Sequence, residues 1–138
     1  MSQFCWTKED NHCFGCGDNP WGLKLDFKEN DGWVQARTQL DEKYQGFKSV
    51  AHGGIVATML DEAGAWAAML QTEYVAPSFE ICCQFRKPVP LVTSLLVRGK
   101  VLETRHGVVT SRAELLSEEG DLLAEAEVKS KMLNKLDG

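Results

Sequence analysis

The residue with the clearest capacity for chemistry is Asp61, because the sequence around it is otherwise small or apolar. From residue 54 to residue 71, apolar side chains recur every three or four positions, which predicts a helix that is apolar on nearly all faces. A carboxylate on such a buried helix is costly unless it is paired or functional. Asp61 is therefore a candidate general base that activates water, or a candidate nucleophile that attacks a carbonyl carbon. The alternative is a structural aspartate that hydrogen-bonds a neighbouring strand.

The motif His52-Gly53-Gly54 opens this predicted helix. The first backbone N–H groups of a helix have no intrahelical partner, and glycine lets a ligand approach them closely. The helix dipole also favours negative charge at this end. Gly53 and Gly54 therefore fit an oxyanion hole, which stabilises the negative charge that develops on a carbonyl under attack. The alternative is a tight turn into the helix. For His52 we expect a positioning role rather than that of a catalytic base.

Glu62 directly follows Asp61 and is the second candidate acid, although it points about 100° away around the helix. Gly54 and Asp61 are seven residues apart, so their backbones are separated by about 10 Å along the helix axis. A reacting carbonyl needs to lie about 3 Å from its hydrogen-bond donors and also close to the acid. One helix does not readily offer both. We therefore expect a composite site, in which Gly53 of one subunit faces Asp61 of its partner.

Five cysteines are present, at positions 5, 13, 16, 82 and 83. An odd number without a secretory signal argues against a disulfide framework. Cys13 and Cys16 form a C-x-x-C pair, which is half of a typical zinc site, and His12 and Cys5 are the two residues that could complete it. The neighbours at 82 and 83 lie on a predicted strand, so they point to opposite faces and do not both reach one metal. We expect buried structural thiols rather than a metal site.

Strands precede and follow the helix. Residues 22–39 predict a hairpin, in which Leu23, Leu25 and Phe27 alternate with polar residues before a turn at Asn30-Asp31-Gly32. After Pro77 the chain is strand-like to its end, and we expect four strands in a meander, at residues 79–85, 95–102, 108–116 and 122–132.

These elements predict a single α+β domain over residues 1–138, with a turn-rich, cysteine-containing lead-in at 1–21 and the central helix at 54–71. A helix that is apolar nearly all round needs more cover than one sheet provides. A second subunit is the expected cover, so we predict a homo-oligomer.

Composition excludes several classes of protein. The 138 residues carry a formal net charge of −5, which argues against a general nucleic-acid binder. No apolar run approaches the roughly 20 residues needed to span a bilayer, and the polar residues 1–10 do not form a signal peptide. We therefore expect a cytoplasmic protein that binds neither nucleic acid nor membrane.

The motifs together resemble one family. His52-Gly53-Gly54 followed by Asp61-Glu62 is similar to the signature of hotdog-fold thioesterases related to the phenylacetate-pathway enzyme. Further similarity lies in the segments Cys13-Phe14-Gly15-Cys16, Asn19-Pro20-Trp21-Gly22-Leu23, Tyr44-Gln45-Gly46 and Ser78-Phe79-Glu80, and in the run from Phe85 to Pro90. The resemblance covers roughly residues 13–132. It implies a hotdog fold, a curved antiparallel sheet wrapped around one long helix. It also implies dimers or dimers of dimers, a composite site, and hydrolysis of an acyl-CoA thioester.

The resemblance also implies roles for residues outside the helix. Ser78 matches a hydroxyl-bearing position that orients the water or the carboxylate; the alternative is an ordinary serine at the start of a strand. The family often places a polar residue near position 46 to contact the thioester carbonyl. Here that position is Gly46, and Gln45 lies beside it, so the second carbonyl donor is left open.

Coenzyme A carries phosphates, so basic residues are expected along its binding route. Among the six candidates, Arg86 and Lys87 are preferred because they adjoin the matched Pro88; the others are Arg98, Lys100, Arg105 and Arg112. No cofactor is expected, since CoA is part of the substrate. Three other functions stay open: a hotdog dehydratase acting on a 3-hydroxyacyl thioester, a non-catalytic acyl-CoA-binding protein, and a metal module built on Cys13 and Cys16.

Overall fold

The computed structural model describes Thr7 and residues 9–136 of the 138-residue chain. Cys5, considered above as a metal ligand, lies outside the described residues. The described part consists of six strands, one long helix and one short 3-10 turn (Glu42–Tyr44). In chain order the main elements are β1 (Lys28–Asn30), β2 (Trp33–Thr38), α1 (Gly53–Thr72), β3 (Ser78–Phe85), β4 (Leu95–Arg105), β5 (Val108–Leu116) and β6 (Leu122–Lys131).

All six strands form one antiparallel sheet in the order β1-β2-β4-β5-β6-β3. Strands β4, β5 and β6 are a meander, but β3 pairs with β6 instead of β4. The expected meander of four strands is therefore wrong for β3, which lies beside β6 at the edge of the sheet. The connection between β3 and β4 runs from residue 86 to 94 and contains Pro88 and Pro90. It is too long and irregular for a tight hairpin turn, so β3 is free to lie at the far edge.

The expected hairpin at 22–39 is also only partly correct. Pairing with β2 begins at Lys28, and the segment before it is not a strand, although Leu23, Leu25 and Phe27 are all buried. Two features explain the difference. Lys24 has a φ of 53°, which interrupts an extended chain. The N–H groups of Leu23 and Leu25 donate to the carbonyls of Phe14 and Gly15 in the lead-in, rather than to a neighbouring strand.

Helix α1 lies against the inner face of the sheet, and contacts strands β2 to β6. Its approach to β4 is close because Gly99 has no side chain: a Cβ atom there would lie 2.4 Å from the carbonyl oxygen of Ala63. The helix buries Val56, Met59 and Leu60 in the main core; further along it also buries Ala63, Gly64, Ala67, Ala68 and Met69. A curved sheet packed on one long helix, the predicted α+β architecture, is confirmed.

Two surfaces of this arrangement are left without cover in the single chain. One is the helix face that carries Ala57, Thr58 and Asp61, which are only partly buried. The other is the edge strand β3, where Phe79 is 59% exposed and Phe85 is 57% exposed. Large apolar side chains on a sheet edge are typical of strands that pair with another chain. Within the described part of the chain, no helix is both long and apolar enough to cross a membrane.

Candidate active site

The start of α1 is fixed by His52, which is the N-cap residue. Its backbone is extended, with φ −62° and ψ 136°, and its Nδ1 atom accepts a hydrogen bond of 2.8 Å from the Gly54 N–H. An accepting Nδ1 carries no proton, so this ring is the neutral tautomer with its proton on Nε2. The His52 carbonyl accepts from Ile55 and Val56 as the helix begins. His52 therefore holds the first turn in place.

The His52 cap distinguishes the two candidate oxyanion donors, because it uses the N–H of Gly54 and not that of Gly53. The Gly54 N–H is occupied by the His52 ring. Among the described residues, no acceptor lies on the N–H of Gly53, which is at the first helical position, and Gly53 is exposed. The Phe85 ring borders the same position, since a Cβ atom at Gly53 would lie 3.9 Å from it. Gly53 is therefore the better donor to an incoming oxygen.

Asp61 lies two turns further along α1 and is held by Ser78, the first residue of β3. The Ser78 hydroxyl donates to Asp61 Oδ1 at 2.6 Å, a short bond of the charge-assisted kind. The bond leaves Oδ2 for another partner and fixes the carboxylate relative to the edge of the sheet. The structure thus brings together Ser78 and Asp61, which lie 17 residues apart in the sequence.

Gly54, Asp61 and Ser78 line one open cavity of about 360 Å³ on the uncovered side of the molecule. Ala57 and Thr58 form its helical wall, and Phe79, Glu80 and Ile81 form its strand wall. The cavity therefore reaches from the helix start to the Asp61 carboxylate within one chain. The cavity is open to solvent rather than enclosed.

Glu62 points away from this cavity. Its carboxylate lies 3.5 Å from the Cys13 thiol, on the side of α1 that faces the lead-in. Burial raises the pKa of the Glu62 carboxyl to about 7. The two adjacent acids of the helix therefore belong to two different places, and the structure does not bring Glu62 to the Asp61 cavity as a second acid.

The candidate carbonyl-contacting residues, Gln45 and Gly46, lie in a short loop that folds back on His52. The Gly46 N–H donates to the Val50 carbonyl, and Gln45 Oε1 accepts from the Ser49 N–H at 3.0 Å. A Cβ atom at Gly46 would lie 3.1 Å from the His52 Cα atom, so this loop packs closely on the helix cap. Both residues are exposed beside the helix start.

Arg86 and Lys87 directly follow β3, next to Phe85 and thus near the helix start. Both are exposed, but neither is unpaired. Arg86 Nε lies 2.9 Å from Glu125 Oε2, and Lys87 Nζ lies 3.9 Å from Asp121 Oδ1. Their backbone N–H groups both donate to the Leu123 carbonyl, which fixes where the two side chains begin. The Lys87–Asp121 pair is long and exposed on both sides, so it is weak and leaves Lys87 available to an anion. The Arg86–Glu125 pair is tighter, and the Glu125 side chain is only 15% exposed.

Two residues beside the candidate site were given no role from the sequence. Phe85 was named only in a predicted strand and in the family-like run from Phe85 to Pro90, yet its exposed ring borders Gly53. Thr58 lines the cavity, and its hydroxyl donates to the Gly54 carbonyl at 2.9 Å. For Thr58 the available signal was its spacing, since it is one helical turn from both Gly54 and Asp61.

A curved antiparallel sheet packed on one long helix, with a glycine-rich helix start, defines the hotdog class of folds. Residues 48–124, more than half of the chain, match the family model described as the thioesterase superfamily. The chain belongs to this superfamily. The family named by sequence resemblance is thereby confirmed.

Solved structures agree on the fold. The smu.793 protein of Streptococcus mutans, bound to acetyl CoA, is 18% identical with a TM-score of 0.74, over 82% of this chain and 91% of that one. A hypothetical thioesterase of Streptococcus pneumoniae with coenzyme A is 16% identical with a TM-score of 0.74, over 82% and 88%. PaaI of Escherichia coli, from the phenylacetic acid degradation operon, is 17% identical with a TM-score of 0.75, over 83% and 84%. At these identities the likeness concerns the fold. Comparison with curated proteins gave no significant match.

Proposed function

We propose that this protein hydrolyses an acyl-CoA thioester, releasing free CoA and a carboxylic acid. The observation that carries the proposal is the Asp61 carboxylate, held by Ser78 in an open cavity that also reaches the start of α1. Membership of the thioesterase superfamily supports the reaction class. The acetyl CoA and coenzyme A bound to two proteins of the same fold support the choice of CoA as the leaving group.

In the proposed reaction the thioester carbonyl oxygen accepts a hydrogen bond from the Gly53 N–H, at the positive end of the helix dipole. Asp61 removes a proton from a water molecule, whose oxygen attacks the carbonyl carbon. The tetrahedral intermediate collapses with cleavage of the C–S bond, and the CoA sulfur leaves as a thiolate that takes up a proton. In the nucleophilic alternative, Asp61 attacks the carbonyl carbon first, and the C–S bond breaks as CoA leaves as a thiolate that takes up a proton. Water then hydrolyses the resulting acyl–aspartyl anhydride to the carboxylic acid and free Asp61.

The site is proposed to be completed by a second copy of the chain. About 12 Å of helix separates Gly53 from Asp61, which is too far for one carbonyl to contact both directly. The exposed apolar edge of β3 and the partly exposed face of α1 both lie at the cavity, so a partner docked there would close it. In this arrangement Gly53 of one subunit and Asp61 of the partner form one site, and the dimer has two.

The CoA phosphates are proposed to bind at Arg86 and Lys87. The Arg86 side chain is 50% exposed and the Lys87 side chain is 58% exposed. They extend from the end of β3 beside Phe85 and the helix start, where the CoA portion of the substrate has to leave the cavity. Gln45, exposed in the adjacent loop, is the proposed second contact for the thioester.

A thiol-release assay over short-chain, long-chain and aromatic acyl-CoAs tests the proposal. We expect wild-type protein to release CoA from at least one of them above the level of the Asp61→Asn variant. No release from any acyl-CoA would contradict hydrolysis. In that case, loss of water from a 3-hydroxyacyl-CoA would indicate a dehydratase, and binding without turnover would indicate an acyl-CoA-binding protein.

Ser78 is expected to act as a positioning residue for Asp61. Removing its hydroxyl with Ser78→Ala takes away one charge-assisted hydrogen bond, so we expect kcat to fall about tenfold with little change in KM. Ser78→Thr keeps the hydroxyl and is the matched control, which should retain most of the activity. Steady-state kinetics of both variants check the prediction, and equal losses in the two would contradict it.

A further inference from the structure

The second cluster of reactive groups lies on the other side of α1 from the Asp61 cavity. It consists of Cys13 and Cys16 of the lead-in and Glu62 of the helix. One ligand atom from each, two thiol sulfurs and one carboxylate oxygen, lies within 4.8 Å of the other two. All three residues are partly buried. The expectation of buried structural thiols is wrong for the described cysteines: Cys13, Cys16 and Cys83 are only partly buried, and Cys82 is exposed. That expectation also did not include the carboxylate, which the helix supplies.

The lead-in presents its two sulfurs in a tight turn. The Gly17 N–H donates to the Cys13 carbonyl at 2.9 Å, and the Gly15 N–H donates to Cys13 Sγ at 3.2 Å. The side-chain amide of Asn11 donates to Cys16 Sγ at 3.4 Å, while its oxygen accepts from the Cys13 N–H. Donors directed at sulfur stabilise the thiolate, which is the form of cysteine that binds metals.

The turn and the helix fit together without room for a larger residue. A Cβ atom at Gly15 would lie 2.4 Å from Glu62 Cγ and 2.7 Å from its Oε1 atom. Glycine at position 15 therefore allows the Glu62 side chain to pass across the turn and place its carboxylate beside the sulfurs. The cluster is thus formed by close packing of two segments rather than by chance proximity of mobile side chains.

The three groups are each anionic when deprotonated, and their ligand atoms lie within 4.8 Å of one another. A divalent cation bound between them would offset the repulsion between these negative charges.

We propose that Cys13, Cys16 and Glu62 bind one Zn²⁺ ion. Two thiolates and a carboxylate are a ligand set that suits zinc and does not suit magnesium or calcium, which prefer oxygen ligands. Around a tetrahedral zinc, a sulfur and an oxygen ligand lie about 3.6 Å apart, given the usual bond lengths. Cys13 Sγ and Glu62 Oε1 lie 3.5 Å apart, so these two ligand atoms already have the separation that a bound zinc requires.

The fourth position on the metal is assigned to water. His12, the histidine nearest in sequence, is held away: its Nδ1 and Nε2 atoms each lie 2.7 Å from a carboxylate oxygen, of Asp18 and Asp10 respectively. The metal would join the lead-in to the helix one residue from Asp61. Its proposed role is therefore to hold the lead-in on the catalytic helix, and it does not depend on which reaction the Asp61 cavity performs.

Metal binding to the full-length protein tests this site without any assay of activity. Reduced, chelator-treated wild-type protein is titrated with Zn²⁺ and, as a spectroscopic probe, with Co²⁺. We expect about one metal ion per chain by elemental analysis, thiolate-to-cobalt charge-transfer bands, and a higher Tm with zinc. Cys16→Ser should weaken binding by at least about tenfold, and Glu62→Gln should weaken it while keeping the thiolate bands.

The matched control is Cys82→Ser, which changes an exposed cysteine of β3 outside the cluster. It should bind metal like wild type, and equal loss in this variant would overturn the assignment. Alkylation of the wild-type protein gives a test that does not depend on variants folding: zinc should protect Cys13 and Cys16 but not Cys82. Absence of stoichiometric metal and of protection would also overturn the proposal. The proposal would also be overturned if the protein binds no metal and hydrogen peroxide converts Cys13 and Cys16 entirely to a disulfide.

Discussion

Asp61→Asn is expected to lower kcat for CoA release by about 10³-fold, within the range of about 10² to 10⁴ that a positioned acid–base group contributes. Asparagine keeps the size of the side chain and still accepts the hydrogen bond from Ser78, but it neither takes a proton nor attacks a carbonyl. We therefore expect kcat and kcat/KM to fall together while the unfolding temperature stays near that of wild type.

Rapid-mixing kinetics on the wild-type protein distinguish the two roles of Asp61. A burst of thiol equal to the number of sites indicates an acyl–aspartyl intermediate that forms faster than it is hydrolysed, whereas general-base catalysis limited by the attack of water gives linear release without a burst. Retention of full turnover by Asp61→Asn would remove Asp61 from the site even if the protein hydrolyses acyl-CoA.

Gly53→Pro is expected to lower kcat by about 10² to 10³-fold, the usual cost of losing one oxyanion donor. Proline has no N–H, so it removes the proposed donor, yet it is well tolerated at the first position of a helix. The preceding residue, His52, already has ψ 136°, which suits a residue before proline. The helix and its cap should therefore persist, with little change in the unfolding temperature.

Gly53→Ala is the matched control for this substitution, because it adds a carbon atom but keeps the N–H. The added Cβ would be at ordinary contact distance, 3.9 Å, from the Phe85 ring. We expect this variant to keep most of its turnover. If it loses as much activity as Gly53→Pro, the loss is steric and the N–H of Gly53 is not the oxyanion donor.

The sequence allowed the helix and most strands to be predicted because their periodicity is local. The helix expected at 54–71 spans Gly53–Thr72, since its apolar residues repeat with helical spacing and His52 caps its start. The failures concern partners that are distant in sequence. Alternation at Leu23 and Leu25 was taken for a strand, but their N–H groups bond to the lead-in. The edge position of β3 depends on pairing with β6, which no local pattern reveals.

The candidate site shows the same division. Asp61 and the two glycines were identifiable from their places on one helix, and Ser78 from a family resemblance. The cluster around Glu62 was not, because its carboxylate meets a cysteine 49 residues away. The structure also separates the two adjacent acids, which the sequence had suggested for one site. Successive helical residues differ by about 100° around the axis, so Asp61 faces the cavity and Glu62 faces the thiols.

In the proposed dimer, Gly53 of one subunit and Asp61 of its partner form one hydrolytic site. Mixing the inactive Asp61→Asn and Gly53→Pro proteins under conditions of subunit exchange tests it most directly, with CoA release as the measurement. In a mixed dimer one site combines an intact Gly53 with an intact Asp61, while the other carries both substitutions. With random exchange at equal amounts, activity should recover to about one quarter of the wild-type value per subunit. Activity that stays at the level of the separate variants, although mass analysis shows mixed dimers, would contradict the composite site.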